Sequence, residues 1–345
     1  MQDRQPFHHP SVRPDWLAKL SEPVLEPDLP IIDPHHHLWK ARPDRYLLED
    51  LVADLRTGHN ILATVFIQCR SEYWTGGLVD LRPVGETVFV AAAAKQCETG
   101  RYGPLRACAG IVGHADCRLA ERIDPVLEAH IEAGGGRFKG IRHSGTWDAA
   151  IEPTAPPGAS PGLYREPGFR HGFARLAFFG LTFEAWLYHP QLSDLADLLR
   201  MSPGQKVVLN HLGGPLGVGP YEGKRTEVFA RWRASMADLA RFENLHVKLG
   251  GLAMNVNGFG YHHADLPPSS ELMAAAWRPY VETAIELFSP SRCMFESNFP
   301  VDKGMCGYPV LWNAFKRIAA GCSADEKAAL FHRTAQSFYS LPPLV

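Results

Sequence analysis

The sequence predicts an α/β fold of the (β/α)8-barrel class on three observations: eight short apolar runs recur along the chain, helical periodicity alternates with them, and no Gly-x-Gly-x-x-Gly turn follows the first run. Eight is the number of strands that a closed barrel needs. The runs are PIIDPHHH (30–37), ILATVFIQC (61–69), ACAGIVGHA (107–115), RFKGIRHS (137–144), LTFEAWLYH (181–189), KVVLNHLGG (206–214), LHVKLGGLA (245–253) and CMFESNFPV (293–301). Between them, 47–58, 122–136, 191–201, 229–242 and 278–288 place apolar residues at i, i+3, i+4 and i+7, the spacing of amphipathic helices. Two of these, 47–58 and 122–136, end in glycine, as helix C-caps often do. The Pro-, Gly- and Ser-rich stretches 144–168 and 253–270 follow runs four and seven, where a barrel carries its active-site loops.

Ahead of the barrel, residues 1–28 mix charges with Pro10, Pro14, Pro23 and Pro27, a composition that resists regular structure. This segment reads as an arm lying on the surface or across a subunit neighbour, a feature suited to a homodimer. Residues 29–345 read as one domain, since neither a repeat nor a composition shift marks a second.

Composition narrows the function classes. The chain has 345 residues, 46% of them hydrophobic, and its 35 basic and 37 acidic side chains give a formal charge of −2. Nothing in that balance favours a nucleic-acid partner, so a small-molecule substrate is expected. Seven cysteines stand singly with no Cys-x-x-Cys pair, as expected for reduced thiols in the cytoplasm. The first residues lack the apolar run of a signal peptide or membrane anchor.

The strongest chemical signal is Asp33-Pro34-His35-His36-His37 at the end of the first run. Side chains alternate along a strand, so His35 and His37 share a face and can converge on one metal ion or one substrate group. Neutral imidazole is among the best ligands for zinc. His211 ends the sixth run, followed by Gly213 and Gly214, and is the natural third member. His114, His143 and His189 end further runs, which makes this rim rich in ligands and proton carriers.

Together with GIRH (140–143), NHLGGP (210–215), KLGGL (248–252) and ESNFPVD (296–302), the D-x-H-x-H-LW block at 33–39 resembles the second amidohydrolase family, which includes 2-pyrone-4,6-dicarboxylate and sugar-acid lactonases. The resemblance runs from about Leu29 to the C-terminus. It implies a TIM barrel that hydrolyses lactones or amides or, in some branches, decarboxylates aromatic acids. It also implies that His35, His37 and His211 are the metal ligands. Where the family commonly has Ser-Asp-Trp-Pro, this chain has Ser297-Asn298-Phe299-Pro300. An amide cannot take a proton from water, so Asn298 cannot replace the family's aspartate as base. Glu296, on the same strand face, and Asp302, in the following loop, are the two replacements, and Glu296 is favoured because a strand holds a base more precisely than a loop. Two modes stay open: a divalent metal, zinc for three histidines, activating water, or a metal-free site in which histidines and a cation polarise the carbonyl.

Substrate contacts are sought among Arg70, Lys139, Arg142, His143 and Lys248, whose charges suit an acidic or carbonyl-rich ligand. Trp186, Tyr188 and His189 on the fifth run add aromatic surface for a cyclic one. The expected function is opening of a lactone by activated water. A metal-dependent non-oxidative decarboxylase and a non-catalytic ligand-binding barrel are the alternatives.

Overall fold

The computed structural model of the protein describes residues 9–41, 44–151 and 158–343. Part of the predicted loop 144–168 and the first eight residues of the arm lie outside the described residues. Eight parallel strands form one sheet in chain order: β1 (Ile31–His36), β2 (Ile61–Ile67), β3 (Arg106–Gly113), β4 (Phe138–Arg142), β5 (Thr182–Ala185), β6 (Val207–Leu209), β7 (Leu245–Leu249) and β8 (Cys293–Phe295). Seven lie inside one of the eight apolar runs, and β3 starts one residue ahead of its run, at Arg106. The strands read as near-continuous apolar segments because helices cover one face and the barrel interior covers the other.

The sheet closes just beyond β8. Asn298 N donates to His35 O (2.9 Å) and His37 N to Phe299 O (2.8 Å), with a parallel bridge between His36 and Phe299. Asp33 reinforces this seam by accepting from Ser297 N (2.9 Å) and from the Tyr308 hydroxyl (3.0 Å). Its burial pushes the carboxyl up to about 6.

The five helices read from periodicity appear as Leu48–Leu55, Asp124–Gly134, Leu192–Met201, Arg225–Leu239 and Ser270–Phe288. Three more, Val84–Glu98, Pro167–Phe178 and Tyr308–Ile318, complete the outer layer. The first of these is VGETVFVAAAAKQCE, whose small and apolar residues spread around the whole helix and leave no polar stripe for a periodicity test to detect.

Inside the barrel, Ile32, Val65, Ile67, Val112, Val208 and Met294 pack with Phe338, Tyr339 and Leu341 from the chain's end. The C-terminal segment thus fills the barrel opposite its active-site mouth. The arm lies on its own barrel, where the buried Lys316 ammonium donates to Leu25 O and Glu26 O (both 2.8 Å). All seven cysteines are free thiols. Among the described residues, no helix is long and apolar enough to cross a membrane.

Candidate active site

Glu296, immediately after β8, is wholly buried, and two histidines from across the barrel meet it. Its Oε1 accepts from His211 Nδ1 (2.7 Å) and from the His211 backbone N–H (3.2 Å). His35 Nδ1 lies 2.6 Å from Oε2 but out of line for a hydrogen bond, which leaves Oε2 without a hydrogen-bond donor. The His35 and His211 ring centroids are 4.5 Å apart. Since a carboxylate only accepts, His211 Nδ1 carries the hydrogen, and Nε2 keeps its lone pair.

The KLGG segment after β7 makes this packing possible. A side chain at Gly250 would run into Glu296, and one at Gly251 would overlap His211 Nδ1. Gly251 also has φ +66°, a conformation that costs other residues strain. His211 itself is held at φ +53° and Asn298 at φ +56°. Non-glycine residues in this region mark strain that the surrounding structure sustains, and Asn tolerates it best.

Beneath the histidines sits a layer of buried charge. Lys248 Nζ donates to Glu184 Oε2 (2.8 Å) and Pro34 O (2.8 Å) and lies 3.3 Å from His35 Nδ1. Glu184 also accepts from Asn210 and from the Tyr339 hydroxyl. Arg142 Nη1 lies 3.2 Å from His35 Nε2 and 3.4 Å from Asn210 Oδ1, while Nη2 donates to Gln68 O. Burial and these cations hold the His35 pKa well below its ordinary value. Burial also lowers that of His211, against the opposing pull of Glu296. Both imidazoles are therefore neutral at neutral pH.

Above the charged layer opens a cavity of about 240 Å³, with His37, Arg70, Arg142, Trp186, His211 and Asn298 in its wall. Tyr188 lines it as well, together with Gln68, Ser144, Thr146 and Met254–Val256 from loops. Trp186 sets its ring edge-on to His211, 4.6 Å between centroids. Sequence reasoning missed Gln68, Ser144, Thr146 and the Met254 segment; Ser144 and Thr146 continue the parity of Arg142, which was the available signal.

Other predicted residues stand elsewhere. His143 Nδ1 accepts from Cys117 N (3.2 Å) and His189 Nδ1 from Leu216 N (3.2 Å), so both serve local packing behind the wall. Lys248 lies below the cavity, and Lys139 directs its ammonium toward Ser340 O (3.4 Å). Glu296 does not reach the cavity surface. It meets the space only through His211, because the glycines of the β7 segment let the histidine ring slide over it. Asp302 is buried, accepting from Asn298 Nδ2 (2.8 Å) and Ala253 N (3.2 Å), and burial pushes its carboxyl well above the ordinary range.

Among the described residues, His35, His211 and Glu296 form the group whose ligand atoms converge, all within 4.8 Å of one another. His37 stands apart from that group. Its Nδ1 lies 2.7 Å from Ile67 O and its Nε2 3.3 Å from Asn298 Oδ1. Two imidazoles and a carboxylate suit a divalent ion such as zinc, and the donorless Glu296 Oε2 is the kind of buried atom that a cation would satisfy. The donor set fits.

The family model described as amidohydrolase matches residues 32–341. The protein y4mH of Sinorhizobium fredii is 32% identical over 335 residues, spanning 90% of this chain and 99% of that protein. L-fucono-1,5-lactonase of Burkholderia multivorans is 26% identical over 318 residues, spanning 90% of this chain and 96% of the lactonase. Among solved structures, an amidohydrolase from Burkholderia multivorans with bound Zn shares the fold at TM-score 0.70 and 24% identity, over 90% of this chain and 99% of that one. The chain thus belongs to the amidohydrolase family of hydrolases.

Proposed function

We propose that this hydrolase opens a lactone, the cyclic ester of a hydroxylated acid, by a water that His211 activates. The observation that carries the reading is the His211–Glu296 pair: a buried carboxylate bonded to Nδ1 of an imidazole whose other nitrogen is free to act at a cavity. His211 Nε2 takes a proton from water as the oxygen adds to the ester carbonyl. Glu296 orients the ring and stabilises the imidazolium that forms, the role that a buried carboxylate plays beside a catalytic histidine. Arg142 faces the same space and supplies positive charge for the tetrahedral oxyanion. The ring C–O bond then breaks, and the imidazolium returns its proton to the departing oxygen. The product is an open-chain hydroxy acid, which at neutral pH releases one proton to solution.

An ester ring asks less of a single histidine than an amide does, because an alkoxide is a better leaving group than an amide nitrogen. The 26% identity to an L-fucono-1,5-lactonase over nearly its whole length supports a sugar-acid substrate. If zinc is present, His35, His211 and Glu296 would hold it; the His211 lone pair would then be taken up by the ion, which would supply the activation of water in place of the free imidazole. Elemental analysis of protein purified without chelators checks this point: zinc in the wild type should be lost in Glu296→Gln.

The function itself is tested by proton release from a panel of six-membered aldonolactones, L-fucono-1,5-lactone included. Turnover well above spontaneous hydrolysis is expected. Failure on every lactone, with release of carbon dioxide from an aromatic acid instead, would overturn the reading.

A further inference from the structure

The arm ahead of the barrel contributes to the cavity wall. His9 lines the cavity together with Asn255 and Val301, and it is exposed where His211 is buried, which puts it at the mouth and His211 at the floor. Several contacts fix the arm there. Val12 N donates to Asp44 Oδ2 (3.0 Å), Arg13 Nη2 to His262 O (2.7 Å) and the buried Trp16 Nε1 to Ala264 O (2.9 Å). The Arg13 guanidinium also lies 4.3 Å from the Trp16 ring centroid. Pro10 rests directly on Gly304, where any side chain would overlap the Pro10 carbonyl oxygen.

The arm is therefore clamped onto the loops that follow β7 and β8, the strands that bring Gly251 and Glu296 to the site. Ordering such a segment costs conformational entropy, so its fixed course needs specific contacts. The family match begins at Ile32, after the arm. This wall is thus made by residues outside the segment shared with the family.

We infer that the arm is a built wall of the substrate cavity and that His9 is its specificity-determining residue, contacting hydroxyl groups on the substrate face remote from the ester. This rests on the lactonase reading above. An imidazole both donates and accepts, which matches hydroxyls, and its place at the mouth keeps it away from the reacting carbonyl over His211. The arm then selects a polyhydroxylated ring over a bare one.

The test compares wild type, His9→Ala and Gly304→Ala on an aldonolactone and on δ-valerolactone, which has no hydroxyls. His9→Ala should raise KM for the aldonolactone about tenfold, the loss of one or two hydrogen bonds, with kcat moving less than about twofold. Gly304→Ala, which lifts Pro10 without altering a cavity residue, should show the same signature. Neither should shift KM for δ-valerolactone. Unchanged aldonolactone KM in both variants would overturn the proposal.

A second readout needs no turnover. Cys69 lines the cavity, and its modification by methyl methanethiosulfonate can be followed by mass spectrometry against the half-buried Cys322 as internal reference. Gly304→Ala and His9→Ala should label Cys69 several-fold faster relative to Cys322. An unchanged ratio would show that the arm does not wall the site. Arm-dependent labelling without any lactone turnover would sink the lactonase reading and leave the wall standing.

Discussion

At the scale of single residues, the proposed chemistry turns on which nitrogen of His211 is free. Glu296 occupies Nδ1 and leaves Nε2 for the substrate, so the two side chains act as one unit. His211→Asn should lower kcat by about a hundred- to ten-thousand-fold, the usual worth of a general base, while circular dichroism stays that of the wild type. A loss below tenfold would point to another base. His35 and His211 were legible as candidates because strand parity and strand-end position are visible in a sequence. The carboxylate at 296 was legible too, but its depth was not: whether a glutamate touches substrate or only the histidine above it depends on what packs over it. His9 was illegible for a different reason. A histidine in a proline-rich arm carries no periodic signal, and its placement comes from Trp16 and Gly304, far apart in the chain.

At the scale of elements, the segment after β7 shapes the site through what it lacks. Gly251→Ala combines a strained backbone at φ +66° with overlap on His211, and should cost about 2–4 kcal/mol of stability, read from urea unfolding. It should also reduce kcat, since the ring must move. A neutral outcome on both would mean that the glycine is not required for packing. The same strand carries Lys248, paired inside the barrel with Glu184 and wholly buried. Removing one partner strands the other, so Glu184→Gln should destabilise by about 3–5 kcal/mol. Lys248→Met in the Glu184→Gln background should recover part of that loss. All eight strands could be placed from apolar runs because both strand faces are covered. The helix Val84–Glu98 could not, because a helix that is apolar and small on every side has no polar stripe to read.

At the scale of the molecule, the many buried histidines set how stability responds to pH. Burial pushes His59, His114, His130, His189 and His246 down to about 4. In the unfolded chain they titrate near the ordinary value of about 6.5. Between about pH 6.5 and 4 the unfolded state therefore takes up protons that the folded state refuses, and the stability present above that window is lost as pH falls through it. Asp33 and Glu86, pushed up to about 6 and about 7 by burial, act the other way: their contribution is complete at low pH and is lost as pH rises through those values. Asp302, likewise raised by burial, adds to the carboxyls, and the five histidines outweigh these three. Thermal melts should show Tm falling from pH 7 to pH 5; a rise would mean that the carboxyls dominate.

The barrel, its seam and its charged interior all serve to hold one histidine over one carboxylate at the floor of a small cavity. The most direct test is the rate of proton release from L-fucono-1,5-lactone and related aldonolactones by the wild type and by Glu296→Gln. The account predicts turnover by the wild type and a loss of at least about a hundredfold in kcat for the variant, whose amide leaves the His211 imidazolium without its counter-charge. Undiminished turnover in Glu296→Gln would contradict it, because the reaction would then be carried without the His211–Glu296 pair.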